Sequence, residues 1–368
     1  MADVLKIIGL MSGTSLDGID AAVLETDGED IARPGPALGV PYEPQMRALL
    51  RQALDDARTV AAGAPVPYAI RDAERRLTEA HADAVNALLK KANLAPRDVA
   101  LIGFHGQTIL HKHDRRWTWQ LGDGALLARL TGIDVVNDFR SADVKAGGHG
   151  APLVPLYHAA LVRRATQFDL PVVLVNIGGV ANVTYISKNT VLAFDTGPGN
   201  APIDDWMFRH GGRPVDDNGD FARSGKIDDA ALNAMLANKF FAIRPPKSLD
   251  RLDFGTVAVE ALSPQNGAAT LTAFTSASIA KAREHFPEMP NTWIVCGGGR
   301  HNRTLMDGLR ARVNAPVLAA EHAGWNGDFT EAEAFAYLAA RSVKGLPLSL
   351  PTTTGVREPM TGGKLHRA

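Results

Sequence analysis

Four short stretches place glycine, hydroxyl and carboxylate residues at the end of an apolar run: SGTSLDGI (12–19), NIGGVAN (176–182), DTGPGN (195–200) and CGGGRHN (296–302). Glycine lets backbone approach a ligand, and successive backbone N–H groups form a concavity that holds an anion. The hydroxyls of Ser12, Thr14 and Ser15 would add donors, so the first stretch suits a phosphate. Taken alone, it would equally make an ordinary hairpin turn. Four such loops after apolar strands favour convergence on one nucleotide, because ligands of α/β folds bind at strand ends. Asp195 in isolation reads as a turn-capping residue before Thr-Gly. His105 could contact a ligand or cap its strand. Asp138 and Arg140 could form an ion pair, or the Arg140 fork could hold a carboxylate. Glu331 would suit the first turn of a helix through the helix dipole. Lys247 could meet phosphate or be solvated.

Other chemistries are excluded by spacing. No G-x-x-x-x-G-K-[ST] or G-x-G-x-x-G occurs, and the D-F-G at Asp253 lacks the other protein-kinase motifs. GTSLDG carries its second glycine one residue too late for a hydrolase nucleophile elbow. His105, His111 and His113 lack the i, i+4 helical pairing of a metal site, and Cys296 stands alone. No dedicated metal site is expected; Mg²⁺ would arrive with a nucleotide.

The elements that must position these residues follow from periodicity. Residues 4–10 and 19–25 read as strands joined by the first glycine turn. A helix starts near Pro44, and Ile70, Ala73, Leu77, Ala80, Ala84 and Leu88 mark a long one over 68–93. Strands are predicted at VALIGFHG, around 117–121 and at IDVVNDF, with GALLARLTG a short helix ended by Gly132. From residue 172 the layout restarts: strand, glycine turn, strand, then VLAFDTGPGN. Helices follow at 202–210, 228–242 and 267–286, then the strand TWIVC, a helix over HNRTLMDGLRARV and a last helix at 331–345. The tail after Pro347 reads as extended or loose.

The chain has 368 residues, a net charge of -1, 45% hydrophobic and 21% charged residues, which bounds it as globular and gives no cue for a nucleic-acid or lipid partner. A single cysteine fits a reducing compartment. The N-terminus lacks signal-peptide character and no apolar run approaches ~18 residues, so a soluble, cytoplasmic protein is expected.

Two halves opened by phosphate-type hairpins, with a late V-x-G-G-G loop, resemble the actin, heat-shock ATPase and sugar-kinase superfamily. Within it, GLMSGTSLDGID, GFHGQTI, DFR…D, AGGHGAPLVPLYH, NIGGVAN, FDTGPGN, PPKS and VCGGGRHN, in this order over residues 7–341, resemble the anhydro-N-acetylmuramic acid kinase family. The resemblance implies an α/β fold of two duplicated actin-like ATPase (ribonuclease H-like) domains with an interdomain cleft. The domains are expected at 1–137 and 138–368, with helix 331–345 a candidate to fold back onto the first. It implies ATP and Mg²⁺ as cofactors, an amino-sugar substrate, a homodimer and a cytoplasmic role in peptidoglycan recycling. The reaction would open the 1,6-anhydro ring with water and phosphorylate O6. Ser12, Gly13, Thr14, Ser15, Leu16, Asp17, Gly18 and Ile19 would hold ATP phosphates. Asn176, Gly178, Gly179, Gly197, Gly297, Gly298, Gly299 and Asn302 would complete the nucleotide site. Asp195 would be the catalytic base, and His105, Gln107, Asp138, Arg140 and Glu331 would face the sugar. The chain departs from the family pattern at Asn137, at His149 (Gln expected) and at Leu249-Asp250 (Thr-Gly expected), which bears on pocket shape. An ordinary sugar kinase acting on a free hydroxyl is the alternative.

Overall fold

Apolar runs separated by glycine turns build two sheets of the same design. The computed structural model describes residues 4–13, 15–30, 32–61, 63–249 and 253–368. The strands are β1 (Leu5–Ser12), β2 (Gly18–Thr26), β3 (Ala32–Pro41), β4 (Leu101–Lys112), β5 (Trp117–Leu121), β6 (Val135–Asn137), β7 (Val172–Ile177), β8 (Val180–Ile186), β9 (Val191–Pro198), β10 (Thr292–Cys296), β11 (Val317–Ala319) and β12 (Lys364–His366). Two compact units result: Met1–Arg164 with Phe329–Ala368, and Ala165–Asp328.

In the first unit the sheet order is β12-β6-β4-β1-β2-β3, with β5 on β4; in the second it is β11-β10-β7-β8-β9. Both contain a three-stranded antiparallel meander, β1-β2-β3 or β7-β8-β9. Both extend it by two parallel strands, β4 and β6 or β10 and β11. This repeated order bears out the duplication read from the sequence layout and is the actin-like architecture that the family resemblance implies. Each unit has its own core. Ile8, Leu10, Leu77, Val85 and Phe104 lie in the first, and Val175, Phe194, Trp206, Phe274 and Trp293 in the second.

Close approach explains two glycines inside strands. Helix Thr330–Val343 lies on β1 and β4. A Cβ on Gly9 would sit 1.8 Å from the Ala332 carbonyl oxygen, and one on Gly103 would sit 2.1 Å from that of Phe335. Helix Tyr68–Ala92 buries Ile70, Ala73, Leu77, Ala84 and Leu88, as its period requires. Helix Gly124–Thr131 begins with Asp123 accepting from the Leu126 N–H (2.9 Å) and ends at Gly132.

Several elements differ from the sequence expectation. ARPGPALGVP forms β3 despite three prolines, because an edge strand needs hydrogen-bond donors on one side only. Strand β4 continues past Gly106 to Lys112. The segment 228–242 divides into helix Asp229–Leu236 and a separate turn Lys239–Ala242. The helix expected from 267 starts at Pro264, capped by Ser263, and gives way to a tighter turn after Lys281. The tail is ordered rather than loose: Pro351–Thr354 is a helical turn, Ser349 bridges Met360, and β12 pairs antiparallel with the edge of β6. The hydroxyls of Ser349 and Thr354 donate to the buried Asp143 carboxylate. Among the described residues no helix is long and apolar enough to cross a membrane.

Candidate active site

In the first unit, site residues lie at the C-terminal end of β1, in the middle of β4, just after β6 and at the start of helix Thr330–Val343. Strand β4 carries one extra residue opposite the Leu10–Ser12 step of β1, which brings Ser12 opposite Gln107. The Ser12 hydroxyl is buried, 3.2 Å from the Gly106 oxygen and 3.4 Å from His81 Nε2. His81 Nδ1 donates to the Leu77 oxygen (2.8 Å), which leaves Nε2 as an acceptor; burial pushes the His81 pKa down to about 4. The hydroxyl of Ser12 is therefore committed to the interior.

The turn itself exposes Ser15 and Asp17, and Ser15 Oγ donates to Asp17 Oδ1 at 2.8 Å. Leu16 (φ 56) and Ile19 turn inward to the core. Gly18 is required by packing, since a Cβ there would meet the Val40 oxygen at 2.4 Å. A Cβ on Gly13 would meet only Ser15 Oγ, at 3.5 Å, so the backbone there is open to a ligand. Thr14 lies outside the described residues.

Arg140 links the sugar-side candidates. Its Nε donates to His105 Nε2 (3.0 Å) and its Nη1 to the Gly150 oxygen (2.6 Å). His105 Nδ1 donates to the Gly106 oxygen (2.7 Å), and its ring centroid lies 4.5 Å from that of Phe335. Burial, reinforced by the Arg140 charge, holds the His105 pKa well below the usual imidazole range, so the ring is neutral. Glu331, half-buried in the first turn of its helix, has its pKa raised by burial; Arg140 opposes this and Asp17 adds to it. Asp138 is exposed with φ 55. Gln107 is fully buried. Its Nε2 donates to the Thr108 oxygen (3.4 Å), while its Oε1 has no partner among the described residues. An orphaned buried acceptor costs about 1–3 kcal/mol, and a ligand hydroxyl would satisfy it.

In the second unit three glycine loops meet at the ends of β7, β9 and β10. The Gly178 oxygen accepts from the Asn200 N–H (2.7 Å), and the Gly179 oxygen from those of Gly199 (2.9 Å) and Ala201 (3.2 Å). A Cβ on Gly297 would sit 2.4 Å from Asn176 Oδ1, and one on Gly299 2.3 Å from Ile177, so packing requires both glycines. Gly197 is likewise closed off by Ser278, 2.7 Å from such a Cβ. Gly178, Gly179 and Gly298 are open, with nothing nearer than 3.7 Å. Those three offer close approach to a ligand. Asn302 uses its side chain to cap helix Arg303–Arg310, accepting from the Leu305 N–H at 2.9 Å.

Asp195, 7% exposed, is held by main chain. Its N–H donates to the Lys247 oxygen (3.0 Å), and its Oδ2 accepts from the Leu249 N–H (2.8 Å). The departure at Leu249 spares this bond, because any residue but proline supplies that donor; Asp250 lies outside the described residues. Asn137 is accommodated too: it donates to the Gly122 oxygen and accepts from His366 Nε2 on β12. His149 stacks on His113 with ring centroids 4.6 Å apart, and its Nδ1 is buried without a partner among the described residues.

Sequence reasoning missed Arg300, although it lies inside CGGGRHN. Its guanidinium is bidentate to Asp328 (both 2.7 Å), donates to Glu321 (2.9 Å) and to the Gly297 oxygen (3.0 Å), and so braces the glycine loop. Asn200, in another quoted motif, donates to the Ile177 oxygen (3.3 Å). His81 carried no local signal, since it reads as one more residue on the apolar face of a long helix.

The model of the family described as anhydro-N-acetylmuramic acid kinase matches residues 5–368. A relative of that name from Bradyrhizobium diazoefficiens is 51% identical over 365 residues, covering 99% of each chain. Another, from Rhizorhabdus wittichii, is 52% identical over 362 residues, covering 98% of each. A solved structure of (R)-2-hydroxyglutaryl-CoA dehydratase component A from Acidaminococcus fermentans aligns with a TM-score of 0.48 at 13% identity, over 91% of this chain and 99% of that one. With the family model matched over nearly its whole length and half its residues shared with such relatives, this chain belongs to the anhydro-N-acetylmuramic acid kinase family.

Proposed function

We propose that the chain uses ATP and water to convert 1,6-anhydro-N-acetylmuramic acid to N-acetylmuramic acid 6-phosphate and ADP. The observation that carries the catalytic assignment is Asp195: a nearly buried carboxylate at the end of an apolar strand, fixed by a main-chain donor beside a glycine loop. Asp195 takes a proton from water as the water oxygen bonds to C1 and the C1–O6 bond breaks. A glycosidase would need a second carboxylic acid to protonate the leaving oxygen. Here O6 bonds to the γ-phosphorus as the bond to ADP breaks, which makes that acid dispensable. Phosphoryl transfer then depends on positioning and charge stabilisation.

The open backbone at Gly13, Gly178, Gly179 and Gly298 suits the nucleotide, and the exposed Asp17 carboxylate suits a water-mediated contact to Mg²⁺. Mg²⁺ bound with ATP supplies charge neutralisation on the phosphates. Arg140 would pair with the lactyl carboxylate, and the Gln107 Oε1 acceptor would take a sugar hydroxyl, with His105, Asp138 and Glu331 around the same ligand. A role in peptidoglycan recycling in the cytoplasm, as a homodimer, completes the reading; the single, buried cysteine is consistent with a reducing compartment.

A coupled ADP assay with the anhydro-sugar in H₂¹⁸O tests it. The label is expected at C1, and Asp195→Asn should lower kcat by about 10²–10⁴-fold. An unlabelled C1 with normal turnover would mean an ordinary kinase acting on a free hydroxyl.

A further inference from the structure

Strand β9 is an edge of the second sheet, and its open side is taken by residues 247–249. These supply both the Lys247 oxygen that receives the Asp195 N–H and the Leu249 N–H that holds the Asp195 carboxylate. Leu249 packs against the core of the second unit, and the Lys247 side chain points into it although it carries an ammonium. Lys247 is 5% exposed, and its Nζ donates to the Phe240 oxygen at 3.2 Å. The same Nζ lies 4.4 Å from the centroid of the Phe240 ring and 5.7 Å from that of Phe194, the residue before Asp195. Both rings belong to the core of the second unit.

A buried ammonium is costly to desolvate, and an apolar side chain of the same length would fill the space without that cost. Burial depresses the Lys247 pKa to about 8, with Lys281 adding to the fall and Glu284 and Asp195 opposing it. Packing alone therefore does not account for a lysine here. What the cation adds is a directional bond and two aromatic contacts that pin one backbone position.

We propose that Lys247 is a positioning residue for Asp195: its ammonium, seated on Phe240 and Phe194, fixes the 247–249 backbone that aims the carboxylate. The inference rests on Asp195 being the base. Lys247 acts on Asp195 through the main chain at 247 and 249, beside the direct attraction between the two charges. Its loss should therefore change the rate of the chemical step and leave ligand binding intact.

The test compares Lys247→Met, Lys247→Arg and Asp195→Asn in the full chain, with kcat, both KM values and thermal unfolding measured for each. Lys247→Met is expected to lower kcat by about 10²-fold, the penalty of a reacting group displaced by about 1 Å. Both KM values should stay within about threefold, and Lys247→Arg, which keeps the charge over the rings, should recover most of the rate. If the Met variant does not fold, Lys247→Gln, which keeps a donor for the Phe240 oxygen, carries the same comparison. A Met or Gln variant with kcat near that of the parent, alongside an inactive Asp195→Asn, overturns the role of Lys247 alone. An active Asp195→Asn overturns the assignment of the base, and the role of Lys247 with it. Equal losses in kcat and in affinity for both substrates would mark Lys247 as merely structural and also overturn the proposal.

Discussion

Glu333 gives a prediction whose size follows from its surroundings. It is 1% exposed on helix Thr330–Val343 and accepts from the Tyr157 hydroxyl at 2.7 Å. Burial raises its pKa from 4.5 to about 7, and the tyrosine bond only partly opposes this. The folded state thus holds a proton that the unfolded chain releases near pH 4.5. Between that pH and about 7 the unfolded chain binds fewer protons, so stability falls as pH rises. The stabilisation is whole below the unfolded value and lost above the folded one. At 1.36 kcal/mol per tenfold change, the span amounts to about 3 kcal/mol. Glu333→Gln keeps an acceptor for Tyr157 and removes the titration. Melting temperatures of parent and variant, measured at about pH 5 and about pH 8, cancel every titrating group the two share. At 2–4 °C per kcal/mol for a unit of this size, the variant should gain roughly 5–10 °C on the parent between the two conditions. Parallel pH profiles for the two proteins would refute the reasoning.

Two further outcomes follow from the first unit. Arg140→Met should raise KM for the anhydro-sugar by about 10–10²-fold with little change in KM for ATP, since a charge-assisted bond is worth about 1.5–3 kcal/mol; an unchanged sugar KM in steady-state kinetics would remove Arg140 from the sugar site. Gly9→Ala should destabilise by about 3 kcal/mol or more, because its methyl carbon would lie 1.8 Å from the Ala332 oxygen and must separate helix from sheet; an urea midpoint equal to that of the parent would show that the helix shifts without cost.

The candidate site was legible in the sequence where its signals are local. Glycine marked eight positions for close approach alike, of which 13, 178, 179 and 298 have open backbone while 18, 197, 297 and 299 are closed by packing, and FDTGPGN placed Asp195 at the end of a buried strand. Arg300 was overlooked within a motif already quoted, because nothing adjacent in sequence announces its partners Glu321 and Asp328.

The sequence by itself determined the two hairpins, their repetition and the loops that follow each apolar strand, since periodicity and turn chemistry act over a few residues. Only the tertiary structure decided what each glycine and polar group does. Ser12 turns its hydroxyl to His81, 69 residues away, and Gly9 exists for the Ala332 carbonyl on a helix more than three hundred residues later. The same holds for β3, accepted as an edge strand despite its prolines, for the tail drawn onto β6, and for the buried Lys247 behind Asp195. Whether a group faces a ligand, a neighbour or water is set by which distant segment packs over it, and that information resides in no local stretch of the chain.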